Sequence, residues 1–193
     1  MIDPTDTTDL TPLTALGDTA PRTRTIGALT LHEDDRLALA SLAAPDDAPR
    51  PFGMALPAPG GWVAAPDGLG AFWMAQGQWM ITGAGAADRD FAAEVALAAP
   101  QARVTEQTDA WAAIAITGDA AALALLLERL VNLPPRATAP GRSTRTLLHH
   151  MGVFVIRPAA DRLFVLGMRS AAGSLWHALA TAADRLAGRE DAA

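Results

Sequence analysis

The spacing of apolar and polar positions changes period along this chain, and each change predicts an element. The clearest stretch is 104–130, VTEQTDAWAAIAITGDAAALALLLERL. Trp111 leads a strand over 111–117, and Gly118-Asp119 turns the chain into a helix predicted over 119–131. Leu123, Leu126, Leu127 and Leu130 supply the i, i+3, i+4, i+7 stripe of that helix. A second stretch of the same kind, MRSAAGSLWHALATAA at 168–183, follows a strand over 163–168 and opens a helix over 174–187. Ser174 is its predicted cap, and Leu175, Leu179, Ala183 and Leu186 share its apolar face.

Two strands, 26–31 and 37–43, flank a polar turn over 32–36. The segment 45–61 holds most of a Pro/Gly cluster and reads as a loop separating two lobes. GAFWMAQGQWMIT predicts a hairpin of 69–75 and 78–82 with Gln76-Gly77 at its tip, and a helix over 87–98 stops before Pro100. The second lobe adds strands at 102–105, 144–151 and 153–157, with a loop over 132–141. Residues up to about Pro21 are rich in Thr, Asp and Pro and are expected to lack structure of their own, free to lie along a partner. A tail over 1–22 and two lobes, 23–100 and 101–188, predict an α+β fold rather than a wound parallel sheet.

Composition narrows the chemistry. The 193 residues are half apolar, enough for a real core. Cysteine is absent, which excludes disulfides, thiolate metal sites and a thiol nucleophile on this chain. Every basic residue is Arg, so Schiff-base chemistry and a Walker-type phosphate loop have no lysine to use. Tyrosine is also absent. A net charge of −6 argues against a nucleic-acid partner. The start, MIDPTDTTDLTPL, lacks a signal-peptide pattern, and no apolar run approaches the roughly 20 residues that span a bilayer. A cytoplasmic protein with no membrane contact is expected.

Each reactive-looking group has a plain structural reading. His149-His150 is placed on a strand, where adjacent residues face opposite ways and cannot share one metal. No acid between Gly141 and Ala160 orients either ring. His177 shares a helix face with Thr181 and Asp184, opposite the leucines. Gly83-Ala84-Gly85 lacks the closing small residue of a dinucleotide fingerprint, since Asp88 stands there. Trp73, Trp79, Trp111 and Trp176 read as core or interface packing. Neither GRSTR at 141–145 nor RSAAGS at 169–174 makes a nucleophile elbow. Arg142, Arg145, Arg157 and Arg169 lie in an acid-poor stretch and, with Trp176, are the candidate subunit interface. No catalytic, cofactor-binding or metal-ligating residue is assigned.

Several segments carry a family resemblance. LGDTAPR (16–22), TIGALTLHEDDRLALASLAA (25–44), GAFWMAQGQWMI (70–81) and VTEQTDAWAAIAITG (104–118) resemble the gamma subunit of heterotetrameric sarcosine oxidase. LERLVNLP (127–134), APGRSTRTLLHHMGVFVIR (139–157) and RSAAGSLWHAL (169–179) continue the likeness in the same order. That family is similar to the folate-binding domain of aminomethyltransferase, which implies two interlocked β-α-β type subdomains. Where the aminomethyltransferases carry an acidic pair after a Gly-rich strand, this chain has Ile156-Arg157, so no folate-handling residue carries over. The resemblance implies a complex that oxidatively demethylates sarcosine to glycine, producing hydrogen peroxide and formaldehyde or methylene-tetrahydrofolate. FAD, FMN, NAD, tetrahydrofolate and zinc are then expected on partner alpha, beta and delta subunits, with this chain non-catalytic. A related complex acting on another N-methyl amino acid, and a free-standing folate-dependent transferase, are the alternatives.

Overall fold

A computed structural model describes residues 11–44 and 49–190, without the side chains of 189 and 190. In chain order the strands are β1 Thr23–Ile26, β2 Leu29–Glu33, β3 Ala38–Ala43, β4 Trp62–Ala64, β5 Leu69–Ala75 and β6 Gln78–Gly83. There follow β7 Arg103–Glu106, β8 Trp111–Gly118, β9 Arg142–Leu148, β10 Met151–Ala159 and β11 Arg162–Met168. Among the described residues three α-helices accompany them: α1 Phe91–Ala98, α2 Ala120–Leu130 and α3 Ala172–Glu190.

The strands form two antiparallel sheets, ordered β1-β2-β8-β11-β10-β9 and β4-β5-β6-β3-β7. Side chains alternate across each sheet, and the alternation builds four layers. Leu39, Phe72 and Met80 of the five-stranded sheet meet Ala113, Phe154, Ile156 and Leu166 of the six-stranded one. Phe154 is the centre of this layer, with its ring 5.0 Å from Phe72 and 5.5 Å from Trp111. On the opposite faces, Ala40, Leu42, Ala71 and Ile81 pack against Phe91 and Val95 of α1. Ile114, Ile116, Val153, Val155 and Val165 pack beneath α2 and α3. The leucine stripes do what their spacing implies: Leu123, Leu126, Leu175 and Leu179 are fully buried.

The lobes interlock by exchanging strands. β1 and β2 precede the five-stranded sheet in sequence yet belong to the six-stranded one, with Leu31 opposite Ile116 of β8. β7 follows α1 and returns to β3. Sheet membership therefore does not change at residue 100; the chain crosses between sheets at 34–37 and again at 107–110. At the far edges, β4 and β9 are stitched together by Trp62 N–H to the Gly141 carbonyl (2.9 Å) and Ser143 N–H to the Gly60 carbonyl (3.1 Å). The two edges are thereby joined at one end.

Several predicted boundaries shift for identifiable reasons. The strand expected over 26–31 is a hairpin, because Gly27 takes a positive φ of 53° and turns β1 into β2. His32 and Glu33 consequently belong to β2, not to the turn. The helix expected from 87 starts at Phe91, where the Asp90 carboxylate accepts the Ala93 N–H at 3.0 Å. The helix expected from 119 starts at Ala120, with the Asp119 carboxylate capping it by accepting the N–H groups of Ala121 and Ala122. Ser174 is not a cap: α3 begins at Ala172, after a short 3-10 turn over Arg169–Ala171. The hairpin of β5 and β6 agrees with the sequence, and Trp73 faces Trp79 across it.

The N-terminal tail is the largest departure. Residues 1–10 lie outside the described residues, but 11–22 are tied down. Glu33 is 1% exposed and its two carboxylate oxygens accept the N–H groups of Leu16 (2.9 Å) and Arg22 (3.3 Å). Arg169 donates to the Leu13 carbonyl at 2.8 Å. The Arg22 guanidinium lies 5.7 Å from the Trp176 ring centroid. Composition alone reads this segment as unstructured because its anchors lie elsewhere in the chain.

Candidate interaction surface

The four arginines singled out from the sequence do not share one face. Arg157 and Arg142 stand opposite each other on β10 and β9. Arg157 is buried, 7% exposed, and its guanidinium donates to the carbonyls of Ala160 (2.6 Å), Ala120 (3.4 Å) and Ala159 (3.4 Å). It ties the start of α2 to the β10–β11 turn, and burial lowers its pKa from the ordinary arginine value. Arg157 is thus an internal strut rather than a docking residue. Arg157→Ala is expected to lower stability by about 1–3 kcal/mol, since three carbonyls lose a charged donor; urea denaturation measures it.

Trp176 is also unavailable to a partner. Its position on α3 places it in the core beneath the helices, 7% exposed, because its helical spacing from Leu179 keeps it on the buried side. Arg142 is half-buried against Gly60, and neither its Nε nor the adjacent Ser143 Oγ has a hydrogen-bond partner among the described residues. Arg145 is exposed on the edge strand β9, its guanidinium 5.8 Å from the Phe154 ring centroid. Arg169 sits where β11 gives way to α3, holding the N-terminal segment and approaching Asp109 at 4.0 Å. Arg145 is left as the freest of the set.

The histidines are arranged differently from the sequence reading. β9 ends at Leu148, and His149-His150 forms the turn into β10, with His149 at φ 53°. Both rings are exposed and both line a groove of about 800 Å³ between this turn, the end of α2 and the outer side of α3. His177 lines it too, with Thr181, whereas Asp184 turns away to pair with Arg24 at 2.8 Å. Among the described residues no group of three or more His, Asp or Glu side chains is placed to hold a metal ion.

A second cavity, about 470 Å³, opens between the N-terminal segment and the crossing at 34–37. Glu33, Asp34, Asp35 and Asp109 line it with Arg169. The sequence reading missed Glu33; a carboxylate inside an apolar alternation, two residues after Leu31, is the signal that marks it. Burial pushes the Asp34 carboxyl above its ordinary range, outweighing the N–H that Arg36 donates and the field of His32. The folded chain therefore holds that proton more tightly than the unfolded chain, and its contribution to stability falls as pH rises through the carboxylate range. Asp34→Asn is expected to raise Tm at pH 7 by on the order of 1 °C, with the gain vanishing at about pH 3. Thermal melts at the two pH values check it.

No family model and no curated protein sequence matches the chain. Its structure is similar to a chain of the heterotetrameric sarcosine oxidase from Corynebacterium sp. U-96, determined in complex with pyrrole 2-carboxylate. That match has a TM-score of 0.69 at 21% identity and covers 85% of this chain and 88% of that one. It is also similar to the glycine cleavage system aminomethyltransferase T from Bartonella henselae, with a TM-score of 0.57 at 16% identity over 80% of this chain. The fold is aminomethyltransferase-like. The present chain spans 46% of the length of that aminomethyltransferase. The fold of that oxidase chain is the fold that the resemblance of the sequence segments implies. No described helix is long and apolar enough to cross a membrane.

Proposed function

We propose that this chain is a non-catalytic, gamma-like subunit of a heterotetrameric sarcosine oxidase, acting in assembly with flavin-bearing partners. The observation that carries this is the near end-to-end match to one chain of such an oxidase, 85% of this chain against 88% of that one. The match to aminomethyltransferase takes in less than half of the other protein. The site chemistry agrees with a structural role. Ile156 lies in the layer between the sheets and Arg157 is spent on three backbone carbonyls, so the place of the acidic pair holds no free carboxylate. In this reading FAD, FMN, NAD and zinc reside on the alpha, beta and delta partners. The partners also set which N-methyl amino acid is oxidised. A cytoplasmic complex is the setting this implies.

The rival reading, a free-standing folate-dependent transferase, makes an opposite prediction. Calorimetric titration of the isolated chain with tetrahydrofolate is expected to show no binding, and the chain alone no consumption of sarcosine. In the native host, deleting the chain is expected to abolish sarcosine-dependent peroxide formation while leaving the flavin-bearing polypeptides expressed. Peroxide formation that persists at the wild-type rate in the deletion strain refutes the subunit role.

A further inference from the structure

The groove beside α3 has a charge pattern that nothing in the fold requires. Arg129 at the end of α2, Arg185 on α3, and His149, His150 and His177 line it, and no Asp or Glu is among its described lining residues. The chain as a whole carries an excess of acids, net −6, so a lining whose charged and titratable groups are all Arg or His is a local reversal of sign. Arg129 and Arg185 have no ion-pair partner among the described residues, so both guanidinium groups are available to a ligand. The floor is apolar, formed by Leu130, Met151, Ala178 and Ala182.

Length distinguishes an extended occupant from a compact ion. From Ser174 to Arg185 the wall of the groove runs along twelve residues of α3, about 16 Å from first to last at the helical rise. A single small anion fills a fraction of that. Small residues on this side of the helix, Ser174, Ala178 and Ala182, recur every four positions and let another backbone approach closely. Arginine at two separate places in the lining suits carboxylates presented at intervals, since each planar guanidinium can clamp one carboxylate with two hydrogen bonds.

We infer that this groove is the docking site for an acidic amphipathic helix of a partner polypeptide. Its apolar side chains pack on the floor and its carboxylates meet Arg129, Arg185 and the histidines, the helix-in-groove mode of recognition. The inference does not depend on which complex the chain joins.

The test is site-specific photocrosslinking in the native host, with the full-length chain carrying benzoylphenylalanine at position 177. A control chain carries it at position 97, an exposed leucine of α1. Mass spectrometry is expected to locate the crosslink from position 177 within a Glu/Asp-rich helical segment of one partner. The charge-reversed double variant Arg129→Glu, Arg185→Glu is expected to lose about tenfold of that crosslink yield, with an unchanged melting curve showing that both variants fold. Crosslinks confined to neutral or basic segments, a yield insensitive to charge reversal, or no adduct while the chain still co-purifies with partners each overturn the groove assignment. In that last case the assembly reading survives. Conversely, an acidic crosslinked segment in a protein unrelated to any flavin-bearing chain upholds the groove and removes the oxidase reading.

Discussion

Phe154→Ala is expected to cost about 3–5 kcal/mol and to weaken both sheets together. Phe154 projects from β10 into the layer between the sheets, 2% exposed, against Phe72 of the other sheet and Trp111 of its own. Removing the ring leaves a void bounded by two β-sheets whose backbones are fixed by their ladders, so collapse around it is limited. The ring also supports the Arg145 guanidinium above it, and that contact is lost as well. Domains of this size carry about 5–15 kcal/mol of net stability, so the loss is a large share. Urea denaturation followed by tryptophan fluorescence and by far-UV circular dichroism is expected to give coincident, strongly shifted transitions. A shift equivalent to under about 1 kcal/mol contradicts the four-layer packing described here.

Glu33→Ala is expected to cost about 2–3 kcal/mol and to free the N-terminal segment. The carboxylate is buried and holds the N–H groups of Leu16 and Arg22 at once, so its removal orphans two donors in a place where water must enter to replace it. Glu33→Gln keeps one acceptor oxygen but sets an NH₂ group against a donor, and an intermediate loss is expected. Amide hydrogen exchange reads the local effect. Protection at Leu16 and Arg22 is expected to disappear in the alanine variant while the amides of β10 and β11 exchange as before. Unchanged protection over 13–22 contradicts the anchoring role.

The sequence made the helices and the central hairpin legible because their signals are local. Leu123 to Leu130 and Leu175 to Leu186 repeat at helical spacing, and Gln76-Gly77 separates two apolar runs. What escaped was set by partners far away in the chain. β1 and β2 leave the lobe they begin because Leu29 and Leu31 find β8, more than 80 residues on. The N-terminal segment is ordered by Glu33, and Trp176 and Arg157 are withdrawn from the surface by the packing of α3 and the start of α2. Sequence proximity groups the four arginines, while the fold distributes them between a seam, an edge, a strut and a tail anchor. The groove beside α3 assembles residues 129, 149–150 and 173–185, which no local motif connects.

A protein read as a structural subunit is defined by what it holds rather than by what it converts. The decisive measurement is purification of the native, affinity-tagged chain from its host, with the mass and absorption spectrum of the purified assembly recorded together. The account predicts equimolar larger polypeptides and a flavin spectrum that reduces on addition of sarcosine. A lone 20 kDa species without flavin, stable and monodisperse in the same preparation, contradicts it.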